Sequence, residues 1–255
     1  MFLKTIIKSH HHRLNEDSFS LFAENQIDLR ISDIKDDSLT LCVESLAGEG
    51  ENNFLARAHS IISYYLVAIN VATLGHFSWD FQLVSPVPYF KTEEPDDFGD
   101  FVFMHRSMNY EFGEDHLDIT PELVWRSIKI MIALGYEKDE VFLSEYIKGI
   151  YNLHNYLFNI DFRNESFSNF YKAFEYFCTA KILEVKNLKN EKAQLKGVLN
   201  DFGFNENIIS DFDEIYVARC NDVMHAQKGI KAGVDKDLII KLKIFLDSLL
   251  HRHYE

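Results

Sequence analysis

The chain has 255 residues, 47% of them hydrophobic, and a formal net charge of −14 at pH 7. That length and apolar content supply one large core or two modest ones and exclude a disordered chain. The negative charge excludes broad, nonspecific attraction to a polyanion, which most of the surface would repel.

The opening run Met1–Lys8 is too short and mixed for a signal peptide. His10, His11 and His12 follow it; adjacent histidines can take a transition metal, although on what reads as a mobile terminus they need no function. Residues 27–31 and 39–44 alternate apolar with polar side chains and predict strands. Residues 53–74 predict a helix of mixed faces, whose apolar part from Ile61 to Leu74 is roughly 14 residues against the ~18 that suggest a membrane span, so it reads as a buried helix. Residues 81–90 and 101–106 predict two more strands, with Pro86 and Pro88 pushing the first to a sheet edge. Between them the acidic loop 92–100 lacks the glycine and ligand spacing of a calcium loop and reads as solvated. All four prolines, Pro86, Pro88, Pro95 and Pro121, precede residue 122. The composition shift predicts an α+β chain in two parts: a small mixed domain over 1–118 and an all-α bundle over 119–255.

Beyond that boundary the helix signals are regular. Thr120 with Pro121 and Glu122 marks a helix start. A second helix is expected from near Asp139 to about Phe158. A third opens at Ser166 or Ser168 and carries Phe170, Phe174 and Phe177 on one face. A fourth spans 188–199. Ser210 with Asp213 resembles a capping arrangement for the helix bearing Arg219 and His225. After a break at Gly229 and Gly233, Asp235 caps a last helix with an apolar stripe of Leu238, Leu242, Phe245, Leu246 and Leu249.

Arg219 and His225 are the candidate chemical residues. A guanidinium holds a phosphate through several fixed donors, and an imidazole moves a proton near neutral pH. At ~100° per residue, Ile209, Phe212, Tyr216, Cys220 and Val223 gather into a buried stripe, leaving Arg219, Asp222 and His225 on the opposite face. That face is open to a substrate or a partner helix; plain solvation would give the same pattern. Lys186, Lys189, Lys192 and Lys196 recur near helical spacing, and Lys228, Lys231 and Lys236 follow the Arg/His segment, so either a basic strip for RNA or an ordinary lysine face lies beside it. Three scattered cysteines, Cys42, Cys178 and Cys220, fit a reducing, cytoplasmic setting, and the first two read as buried structural residues. His105, His116 and His154 show no ligand spacing, and no glycine-rich nucleotide loop occurs, so no cofactor is expected.

The helix order over 139–255, with Phe174-Glu175-Tyr176-Phe177 early and Tyr216-Val217-Ala218-Arg219-Cys220-Asn221-Asp222-Val223-Met224-His225 late, resembles a HEPN domain, in particular the Apea-like HEPN group. The resemblance covers a little under half of the chain. It implies a metal-independent endoribonuclease, usually a homodimer whose motif helices face each other across a cleft, often in defence or toxin systems. Arg219 would then take the phosphate and His225 the proton transfer. The family's polar residue after the arginine is replaced here by Cys220, which leaves Asn221 or Asp222 for that auxiliary role. Glu175 matches an acidic family position and is expected to pair with Arg219 or Lys181. Some members of the family are catalytically silent, so a noncatalytic dimerisation and protein-interaction module is the alternative, with the N-terminal part binding a protein or ligand.

Overall fold

The computed structural model describes residues 1–20, 22, 28–80, 87–91, 100–104, 117–154, 156, 157, 160–220 and 234–255. The architecture is α+β, a small antiparallel sheet followed by a helical region. Strand β1, Phe2–Ser9, pairs on one side with β4, Ser38–Glu44, and on the other with β5, Phe77–Trp79; β3, Arg30–Lys35, lies outside β4. All three pairings are antiparallel, and Ile7 sits opposite both Leu39 and Trp79. Strands β3 and β4 realise the alternation read at 27–31 and 39–44, although the first begins at Arg30. No strand is expected from the sequence at β1, yet Thr5, Ile6 and Ile7 are β-branched and suit a half-buried pleated surface. His10, His11 and His12 therefore follow an inner strand rather than trailing on a mobile terminus, and His12 is buried.

Helix α2, Glu51–Thr73, crosses the sheet and is almost continuously buried from Ile62 onward. It is long and apolar enough by composition to span a membrane, but 61% of that window is buried within the protein, as in a core helix. Its one amide in the apolar stretch is fully bonded: Asn70 Nδ2 donates to the Leu66 and Phe77 carbonyls at 2.8 and 3.1 Å, and its Oδ1 accepts from Phe77 N. Leu74, in the left-handed region, then turns the chain into β5. Strands β6, Val87–Lys91, and β7, Asp100–Met104, form a separate antiparallel pair within the expected stretches; residues 81–86, 92–99, 105 and 106 of those expectations, most of the acidic loop included, lie outside the described residues.

Two short segments tie the N-terminal part to the helices. Strand β2, His12–Arg13, runs parallel to β8, Leu117–Asp118, and Arg13 Nε lies 2.8 Å from Asp118 Oδ1. Helix α1, Glu16–Phe19, follows β2, and Ser18 in it donates to the Ile119 carbonyl, as does Asn15 just before it. Helix α3, Pro121–Glu137, starts as read, with the Thr120 hydroxyl accepting from Leu123 N. Helix α4, Glu140–His154, is capped by Asp139 and is shorter than expected. Helix α5, Arg163–Tyr176, begins ahead of Ser166, because that hydroxyl instead reaches across to the Gly149 carbonyl. A Cβ on Gly149 would stand 2.7 Å from the Phe170 ring, so the glycine is what lets α4 and α5 pack this closely. Phe170, Phe174 and Phe177 line the core as expected. The chain continues as a π-helical turn over Phe177–Ile182, with the Cys178 thiol buried and its pKa pushed far up by that burial. Among the described residues three helices follow: α6, Glu191–Asp201; α7, Glu206–Ala218; and α8, Lys236–Tyr254, capped by Asp235 as read. The cap of α7 is Asn205, whose side chain accepts from Ile208 N; Ser210 and Asp213 lie inside the helix instead. The buried residues form one cluster across the 118 boundary, with α2 packed on both α3 and α8.

Candidate functional site

Arg219 sits at the C-terminal end of α7, where the helical conformation continues past Ala218. The buried stripe of that helix is Ile209, Phe212, Ile215 and Ala218, with Tyr216 and Cys220 only half-buried, so the wheel is rotated from the sequence reading. Arg219 is consequently not on a solvent-facing stripe. Its side chain is 22% exposed and leans into the groove between α5, α6 and α7. Nη1 lies 3.1 Å from Glu191 Oε2 at the first position of α6, and Nη2 lies 3.9 Å from Glu175 Oε2 on α5. The guanidinium carbon stands 4.9 Å from the Tyr171 ring centroid and 5.8 Å from that of Tyr216, within cation–π range.

The partners are themselves fixed. Tyr171 donates its hydroxyl to Glu191 Oε1 at 2.8 Å, so one carboxylate spans a phenol and a guanidinium. Burial, then the Glu191 hydrogen bond, pushes the Tyr171 phenol far above its ordinary value and keeps it a donor. Burial also raises the Glu175 carboxyl, helped by the neighbouring Glu191 charge, against the opposing pull of Arg219. The expected Glu175 pairing is thus present but long, and Glu191 is the closer partner. Lys181 binds Glu137 and Asp139 instead, at 3.2 and 3.1 Å.

The expected lysine strip does not form one row. Lys186 and Lys189 precede α6 and are exposed, while Lys192 and Lys196, inside it, both clasp Asp213 at 2.7 Å. Lys196, 29% exposed, is thus charge-paired within the chain. Asn221, Asp222, His225, Lys228 and Lys231 lie outside the described residues, as do His105 and His116. Among the described residues no group of three His, Cys, Asp or Glu side chains is arranged to hold a metal ion, the histidines near β1 included.

Two features of the site escape sequence reasoning. Tyr171 falls in the same helical spacing as Phe167 and Phe174 and reads as core; Glu191 reads only as an acidic residue in a first helical turn. For the N-terminal part, where a ligand or partner is expected, an open groove of about 530 Å³ lies between the sheet, α2 and α4, lined mainly by Leu3, Ile62, Trp79, Ile147 and Tyr151. No protein-family model matches the sequence, no curated protein is similar to it, and no solved structure matches it.

Proposed function

We propose that this protein is an endoribonuclease of HEPN type that cleaves RNA without a metal ion, at a site formed between two copies of the chain in the cytoplasm, in a defence or toxin role. The observation that supports the reading is Arg219. It is a partly exposed guanidinium held by groups from two other helices, two residues before the segment that carries Asn221, Asp222 and His225. A guanidinium fixed before substrate arrives can stabilise charge on phosphoryl oxygens without reorganising at the moment of reaction. His225 would take the proton of the ribose 2′-hydroxyl as its oxygen attacks phosphorus, or return one to the departing 5′-oxygen. The products would be a 2′,3′-cyclic phosphate end and a 5′-hydroxyl end.

The test is cleavage of single-stranded RNA by the purified protein in EDTA, with end groups assigned by mass spectrometry. Arg219→Ala and His225→Ala are each expected to lower the rate at least a hundredfold. Equal activity in all three proteins would overturn the assignment. A noncatalytic dimerisation module is the second reading. It is favoured by the pairing of Arg219 with Glu191, and of Lys192 and Lys196 with Asp213, all within a single chain. A dimer that neither binds nor cleaves RNA would establish it.

A further inference from the structure

Glu191 meets Arg219 as an ion pair through one close contact, with its other oxygen turned to Tyr171. A carboxylate oxygen and a phosphate oxygen compete for the same guanidinium donors. Glu191 Oε2 stands 3.1 Å from Nη1 of a side chain that is 22% exposed, so its oxygen holds a position that an incoming phosphate oxygen would need. The second oxygen of Glu191 accepts from the Tyr171 hydroxyl at 2.8 Å, which fixes the carboxylate in that place. Glu175, 3.9 Å from Nη2, adds a second negative charge. One guanidinium facing two carboxylates leaves the groove unfavourable to a polyanion, on a chain whose net charge is already −14.

Glu191 is the first residue of α6, behind the exposed residues 184–187, and that helix start is held by Gln194, whose Oε1 accepts from the Lys189 and Asn190 backbone N–H groups at 2.9 and 3.3 Å. The Glu191 side chain is 20% exposed, so its carboxylate can leave Arg219 by rotating toward solvent while the helix start stays in place.

We propose that Glu191 is a built-in competitor for substrate: a carboxylate clamped by Tyr171 that fills the phosphate subsite of Arg219 and must leave before RNA can bind there. The inference rests on the ribonuclease reading for its substrate but concerns binding, which can be measured apart from cleavage. The probe is a fluorescent 2′-O-methyl RNA 12-mer, which cannot be cut by 2′-hydroxyl attack. Its affinity is read by anisotropy at 50 mM salt for the wild-type chain, Glu191→Gln, Tyr171→Phe and the double variant Glu191→Gln/Arg219→Ala.

Glu191→Gln keeps the shape and the tyrosine contact but removes the charge, and is expected to tighten binding about tenfold, with Tyr171→Phe giving a smaller gain in the same direction. Adding Arg219→Ala abolishes the gain. Unchanged or weaker binding by Glu191→Gln would overturn the proposal and make Glu191 a residue that merely positions Arg219. Should Glu191→Gln fail to fold, Tyr171→Phe decides the matter by the same criterion. Cleavable RNA, assayed in parallel, separates the two ideas: a gain in affinity with no cleavage by any variant sinks the ribonuclease and leaves the anion subsite, while cleavage without a gain sinks the competitor and leaves the ribonuclease.

Discussion

Two clusters in this molecule are built from the same three parts, a cation, a carboxylate and a tyrosine, and they differ in one respect. In the first, Lys243 Nζ on α8 lies 2.5 Å from Asp247 Oδ2 and 2.7 Å from the Gly75 carbonyl, while Tyr146 on α4 donates to Asp247; the three side chains are at most 1% exposed. In the second, Arg219, Glu191 and Tyr171 make the analogous chain with the cation 22% open to solvent. Burial lowers the pKa of Lys243 and raises that of Asp247, each toward its neutral form, so neither survives there as a charge without the other. The sealed cluster gives Lys243 no access to solvent, whereas the guanidinium of Arg219 remains partly open to it. The same kinds of group are thus closed off in one place and left reachable in the other.

The largest effect should come from breaking the sealed cluster on one side. Lys243→Met leaves Asp247 buried without its cation, with only the Tyr146 hydroxyl still donating to it, and is expected to cost about 3–5 kcal/mol in urea unfolding, whereas Lys243→Met with Asp247→Leu should recover most of it. If single and double variants lose equally, packing rather than charge governs the site.

Acid should probe the same region next. His10 is bonded to Ser78 and packed beside His76, and its pKa is lowered to about 3 by burial first, then by His11, Lys236, Lys8 and Lys243. His11 and His12 are lowered too, chiefly by burial. The unfolded chain then binds protons that the folded one refuses. Stability is flat above the ordinary imidazole value near 6.5 and is lost as pH falls from there toward about 3. His10 alone contributes a loss of about 2 kcal/mol at pH 5. Thermal unfolding from pH 7.5 to 5 should show this slope, and His10→Gln should flatten it.

Smaller effects sharpen the contrast. Tyr146→Phe removes a donor from an acceptor sealed in the core and should cost about 1–2 kcal/mol, while Tyr171→Phe, equally buried but bonded to a Glu191 carboxylate that is 20% exposed and can be rehydrated, should cost less than about 1 kcal/mol. Glu191→Gln should move stability by no more than about 1 kcal/mol either way, because a partly exposed ion pair contributes little. A larger loss than that of Tyr146→Phe would show the open cluster to be structural after all.

The two clusters are unequally legible in the sequence. The helices of the C-terminal half announce themselves through caps such as Thr120 and Asp235 and through the phenylalanine stripe of α5, since those signals are local. Strand β1 is hidden because apolar Phe2 and Ile6 share the phase of Lys4 and Lys8 and blur its alternation, and only its two neighbours, distant in sequence, make it an inner strand. The pairing of Arg219 is hidden for a related reason. The periodicity of α7 allows two neighbouring stripes, one through Tyr216 and Cys220 and one through Ile215 and Ala218, and only the packing of α5 and α6 selects the second and turns an apparently free arginine into a paired one. Lys243 and Asp247, an i, i+4 pair flanked by Leu242, Phe245 and Leu246, carry the one local hint of a buried ion pair.

The bond from Lys243 to the Gly75 carbonyl also bears on how the chain is made. It joins residues 168 apart, from the turn after α2 to the middle of α8. At ~5–20 residues per second of synthesis, that carbonyl waits on the order of 10–30 s for its partner. During that interval the helices that cover α2, first α3 and α4 and last α8, are still being made, so its apolar face and the polar interior that Lys243 completes stay open. A nascent chain stalled before α8 should therefore be a compact, sticky species that chaperones and proteases recognise, and release of α8 should be the step that ends its exposure.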